Sequence, residues 1–169
     1  MKKRILLSVV AAIVLLLVVT TAVLWARGRG DMGTIRAATR DYRDIEVAKA
    51  DGFVQFHECI DKPSEGAMGV HYIMPDRFDD QLDLNEPEVL VYDVDGKGKA
   101  RLVAVEYIIP AAAWSGDEAP SFLGQTLQFK TTMGPHELDP YYEVHVWAWR
   151  RNPSGLFADY NPRVACPAS

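Results

Sequence analysis

Tyr141-Tyr142-Glu143-Val144-His145-Val146-Trp147-Ala148-Trp149-Arg150-Arg151-Asn152-Pro153-Ser154-Gly155-Leu156-Phe157-Ala158-Asp159-Tyr160-Asn161-Pro162 is the stretch on which the fold turns. Its first half reads as a strand. Tyr142, Val144, Val146 and Ala148 point one way, and Glu143, His145, Trp147 and Trp149 the other. Both sets contain large apolar groups, so the spacing predicts a central strand covered on both faces. The strand is expected to stop at Asn152-Pro153. An aromatic loop then runs to Asn161-Pro162, and its aromatic content predicts that it packs down onto the domain.

Upstream of this stretch, strand signals dominate from Gly52 onward. Residues 53–60, 70–74, 88–93 and 101–109 are rich in β-branched and aromatic residues. Asp95-Gly96 marks a hairpin between the last two. Glu106 falls mid-strand, on the expected face of Leu102, Ala104 and Ile108. A further short element is expected over 126–130, and residues 61–69 and 78–87 read as loops. Before the strands, Ile35, Ala38, Tyr42 and Ile45 form an apolar stripe at helical spacing. They predict a helix over 34–50 with Thr34 as N-cap and Gly52 as its stop. The expected class is α+β: an N-terminal helix packed on a mainly antiparallel sheet of about five or six strands.

The N-terminus has a different character. Residues 1–4 form a positive n-region, and residues 5–26 are almost wholly apolar. As a helix this segment would span roughly 30 Å, the thickness of a hydrocarbon core. Trp25, Arg27 and Arg29 suit a headgroup-level anchor. The segment reads as an uncleaved signal-anchor; the alternative is a cleaved signal peptide and a secreted protein. Either way, residues 27–33 are expected to be a linker. Residues 34–169 are expected to form one domain on the non-cytoplasmic side.

Without residues 1–26 the chain loses three of its 18 basic residues and none of its 23 acidic ones, leaving a net charge of −8. Such a domain repels nucleic acid and anionic lipid, so the only membrane contact expected is the N-terminal helix. A small molecule or a protein remains as the expected partner. Cys59 and Cys166 are the two cysteines. In an oxidising compartment they are expected to pair.

Five stretches stand out as a set: Gly66-Ala67-Met68-Gly69-Val70-His71-Tyr72, Pro87-Glu88-Val89-Leu90-Val91-Tyr92, Val105-Glu106-Tyr107, His145-Val146-Trp147, and Asn152 through Pro162 as quoted above. Together they resemble a group of small, hypothetical exported bacterial proteins. The resemblance covers roughly residues 38–167. It implies an exported bacterial domain and no mechanism.

Chemistry is expected at few places. His71, Glu106, His136 and His145 could supply nitrogen and oxygen ligands to zinc, iron or copper. No His-x-His, His-x-x-x-His or His-Glu-x-x-His spacing supports such a site locally. The competing reading has His71 and His145 as hydrogen-bonded core residues and Glu106 paired with Arg150 or Arg163. Trp147, Trp149 and Tyr160 could stack on a flat or sugar-like ligand, although such residues more often pack a core. Asp159 and Glu106 could form a carboxylate pair. Asp93-Val94-Asp95-Gly96 resembles a calcium loop, but that register puts Val91 and Leu102 where oxygen ligands belong. No nucleophile elbow, phosphate loop or dinucleotide fingerprint is present. Together with the exported bacterial setting that the resemblance implies, these features predict a non-catalytic, membrane-tethered binding module of the bacterial envelope, with a metal-dependent enzyme as the alternative.

Overall fold

The computed structural model describes residues 13–16, 20, 28 and 30–167. Most of the predicted anchor, residues 5–26, lies outside these. Among the described residues, no helix is long and apolar enough to cross a membrane.

The architecture is α+β. Among the described residues, eight strands follow the helical segments near the N-terminus: β1 Val54–Lys62, β2 Gly66–Ile73, β3 Val89–Val94, β4 Ala100–Pro110, β5 Ser121–Phe122, β6 Gln125–Thr126, β7 Gln128–Met133 and β8 His136–Val146. Six form one antiparallel sheet in the order β1-β2-β3-β4-β8-β7, and β5 and β6 make a separate two-stranded ribbon. The last strand is thus an interior one, between β4 and the edge strand β7, and it is buried mainly in its second half. Val89, Leu90, Val91 and Tyr92 of β3 are all fully buried, so the middle of the sheet is covered on both sides.

One face packs under the helices. Helical residues 30–38 (α1), the 3-10 turn Asp41–Arg43 and Ile45–Ala50 (α2) lay Ile35, Tyr42, Ile45 and Ala48 on Leu90, Tyr92, Val105, Tyr107, Val144 and Val146. Of the predicted stripe, Ile35 is buried and Tyr42 and Ile45 pack against the core, whereas Ala38 is half-buried outside it; the single helix over 34–50 is broken. Asp44 accepts the Glu46 N–H at 3.0 Å and starts a new helix. Residues 30–33, expected as linker, are helical. Thr34 is no N-cap, since its hydroxyl donates back to the Gly30 carbonyl at 3.1 Å. Gly52, at φ 109°, ends α2 as expected.

The other face packs under residues 147–167. Val89, Val91, Ala104, Ile108 and Tyr141 meet Trp147 and Val164 there. The lid is fixed by the Cys59–Cys166 disulfide, with Cα atoms 5.5 Å apart, and by a bridge between Ala67 and Asn161. Gly66 permits that bridge, because a Cβ there would collide with the Asn161 carbonyl.

Bulges curl the sheet. On β4, Val91 faces Ala104 but Tyr92 faces Leu102, so Val103 is the extra residue. The shift turns Leu102 into the helix-covered core, away from the face expected for it. On β1 the register slips between Phe56 and Ile60, and His57 takes φ 61°. The curl brings β1 against the β7–β8 turn. Gly134 sits over the Ile60 side chain, and the His57 ring stacks on His136 with centroids 3.7 Å apart.

Other boundaries move as well. β8 begins at His136 and ends at Val146; the chain then leaves the sheet, because the Trp149 and Arg150 amides both donate to the Val103 carbonyl. β2 begins at Gly66, inside the expected loop over 61–69. The expected short element over 126–130 becomes β7, displaced towards Met133. The β3–β4 hairpin is present, with Asp95 accepting the Lys97 and Lys99 amides at 3.0 Å in a five-residue loop. Gly98, at φ 78°, takes the left-handed position there.

Candidate metal centre

The face under the C-terminal lid carries a buried polar cluster. It is built by alternation and register. Glu106 on β4 pairs across the ladder with His145 on β8, and Ile108 pairs with Glu143. Residues 143 and 145 share a face, so the two β8 side chains flank Glu106. His71 lies on β2, with β3 between it and β4.

Glu106 is the hub. Its Oε1 lies 2.8 Å from His145 Nδ1 and 3.2 Å from His71 Nε2, and all three side chains are fully buried. Burial opposes ionisation of Glu106, but the two histidines outweigh it and hold the carboxyl below the usual carboxylate range. The reverse balance acts on His71. Desolvation disfavours its charge, and the Glu106 carboxylate more than restores it, raising the pKa above the ordinary value.

Glu143 completes the group. Its Oε1 accepts from Lys130 Nζ at 2.9 Å, and the same ammonium reaches Asp159 Oδ2 at 3.0 Å. Burial, reinforced by the nearby Glu106 charge, pushes the Glu143 carboxyl up to about 7 despite Lys130. Lys130 itself is raised: desolvation lowers it, and the two carboxylates more than compensate.

One ligand atom each from Glu106, Glu143 and His145 lie within 4.8 Å of one another. Among the described residues, Glu106 Oε2, Glu143 Oε2, His145 Nε2 and His71 Nδ1 are buried without a hydrogen-bond partner. Orphaned polar atoms of this kind are costly, and native interiors carry few of them.

The expected ligands therefore divide. His71, Glu106 and His145 come together, and His136 stacks on His57. Among the described residues, Glu106 pairs with neither Arg150 nor Arg163; Arg150 Nη1 goes to Asp93 at 2.7 Å. Asp159 meets Glu143 through Lys130 and forms no dyad with Glu106. Trp147 Nε1 donates to the Ala158 carbonyl at 2.6 Å, and Trp149 Nε1 to Thr39 Oγ1 at 3.0 Å. Tyr160 lies beneath the Lys62 ammonium, 5.6 Å from ring centroid to Nζ. All three aromatic residues hold down the lid or the helices.

Glu143 was the residue missed. A carboxylate on a doubly covered strand needs a partner, as Glu106 does, and its i+2 relation to His145 put it on the same face. No protein-family model matches the chain, and neither a curated protein nor a solved structure shows significant similarity to it.

Proposed function

We propose that this protein is a metal-binding module, membrane-tethered on the extracytoplasmic side, which holds a divalent first-row transition ion such as zinc. Glu106, Glu143 and His145 are the proposed ligands, with His71 orienting Glu106 as a hydrogen-bonding neighbour. The observation that carries the reading is the approach of three ligand atoms within 4.8 Å, from side chains whose remaining polar atoms are buried and unpartnered. Two carboxylates and an imidazole suit zinc, manganese or ferrous iron better than calcium, which takes six to eight oxygens. A dication would also neutralise two carboxylates that otherwise repel each other in a low-dielectric interior.

Burial of all three ligands favours retention of an ion over turnover of a substrate, because a catalytic centre keeps a coordination position open. The Cys59–Cys166 disulfide supports the extracytoplasmic address, and the apolar residues 5–26 support the tether. Elemental analysis of the untagged protein, exported through an oxidising compartment, tests the function. About one ion per chain is expected, and it should be lost in Glu143→Gln and in His145→Ala. A folded protein that takes up no zinc, manganese or iron would overturn it.

A further inference from the structure

We propose that the face under the lid also holds a second, separate site: a cavity for a small, neutral aromatic molecule. A cavity of about 310 Å³ opens beside the polar cluster, walled by Phe56, Ile73, Phe78, Ile108, Met133 and Tyr141. Its position follows from the strands. Ile73, Ile108 and Tyr141 are each two residues along from His71, Glu106 and Glu143 on β2, β4 and β8. β2 and β4 run in the same direction and β8 runs opposite, so all three steps lead to the same end of the sheet. The cavity therefore sits about 7 Å from the polar cluster, one pleat further on. Its wall includes none of the proposed metal ligands.

Three observations select the occupant. The volume is at the small end of ligand pockets, which fits a one- or two-ring compound. Three aromatic rings and a methionine thioether in the wall favour a flat ring, which they can meet edge-on or through sulfur. Among the described residues, Asp139 is the one charged residue lining the cavity, and no basic group there could pair with an anion. A carboxylate or phosphate ligand would meet repulsion and no compensating charge. This inference stands whether or not the neighbouring cluster binds metal.

The test uses the full chain with methyl labels on isoleucine and methionine, titrated with indole and, separately, with benzoate. Saturable shifts are expected with indole at Ile73, Ile108 and Met133, while Ile35, on the opposite face, stays still. Benzoate is expected to leave all four unchanged. Ile73→Trp, which fills the cavity, should weaken the indole response at Ile108 and Met133 by about tenfold or more. Should that variant misfold, Phe78→Ala removes one ring from the wall and should weaken indole as well. Shifts that fail to saturate, that spread equally to Ile35, or that survive unchanged in a folded variant would overturn the site. So would benzoate binding as tightly as indole.

Discussion

The two faces of the sheet bury comparable elements and treat polar groups in opposite ways. Under the helices, the buried tyrosines reach partners at the rim: Tyr92 donates to the Tyr42 carbonyl at 2.7 Å and Tyr107 to the Leu84 carbonyl at 2.9 Å. Tyr72 likewise reaches Gln55 Oε1 at 3.2 Å. Under the C-terminal lid, four ionisable side chains are buried with one atom each left unpaired among the described residues. Among the described residues, the first face leaves no buried side-chain nitrogen or oxygen without a partner. The second carries a cost that stability does not explain, and such exceptions concentrate at functional sites. The proposed function is drawn from that asymmetry.

The comparison breaks most easily at the lid. Replacing both Cys59 and Cys166 by Ser opens a loop of 107 residues, and the chain-entropy account predicts a loss of about 4–5 kcal/mol. Chemical denaturation with and without reductant measures it. The polar face should loosen first, so hydrogen exchange at the β8 amides should accelerate before exchange at α2. Uniform acceleration would show that the disulfide stabilises both faces alike.

A matched pair of substitutions probes the faces themselves. Glu106→Gln, measured in chelator, removes the counter-charge of a buried histidine and should cost about 3 kcal/mol. Tyr107→Phe removes a single hydroxyl whose partner lies at the rim, and should cost about 1 kcal/mol. Equal losses in urea titrations would abolish the distinction between a built polar site and an ordinary satisfied core.

The last test concerns Glu88, buried immediately before β3. Its Oε2 accepts the Ile108 amide at 3.0 Å, yet burial pushes its pKa from 4.5 up to about 8. A raised carboxyl pKa means that the folded state holds a proton the unfolded state has released. Stability contributed by this group therefore falls as pH rises from about 4.5 to 8, by up to about 1.4 kcal/mol per unit, and then levels off. Glu88→Gln should flatten that part of the curve. The difference between variant and parent isolates Glu88 from Glu143, whose carboxyl is pushed up to about 7. An unchanged slope would place the Glu88 carboxyl in the ordinary range.

Local signals reached the strands well and the site in part. Alternation along Tyr142 to Val146 predicts the covered central strand, and the even cysteine count predicts the disulfide. Both depend on residues near in sequence or on simple parity. Alternation places Leu102 on the face of Glu106, but a bulge at Val103 reverses it, and nothing in Arg101-Leu102-Val103-Ala104 marks the bulge. His136 was grouped with the ligands, but curling of the sheet sets it against His57, an encounter of opposite edges that no local spacing encodes. The tryptophans illustrate a third limit: their indole N–H groups find backbone and threonine oxygens on segments far away in the chain or across a loop. Register between β4 and β8 brought Glu143 to the cluster, and register is a property of two strands together.

The sheet order has a consequence for how the protein comes into being. β8 lies between β4 and β7 although it is the last strand made, and the segment that covers the polar face follows it. While the chain is emerging, Glu106 and His71 have neither His145 beside them nor a roof above them. The cluster is therefore incomplete until β8 has paired with β4. An ion held there would be acquired by the finished chain, in the compartment where folding ends, and not by a growing one.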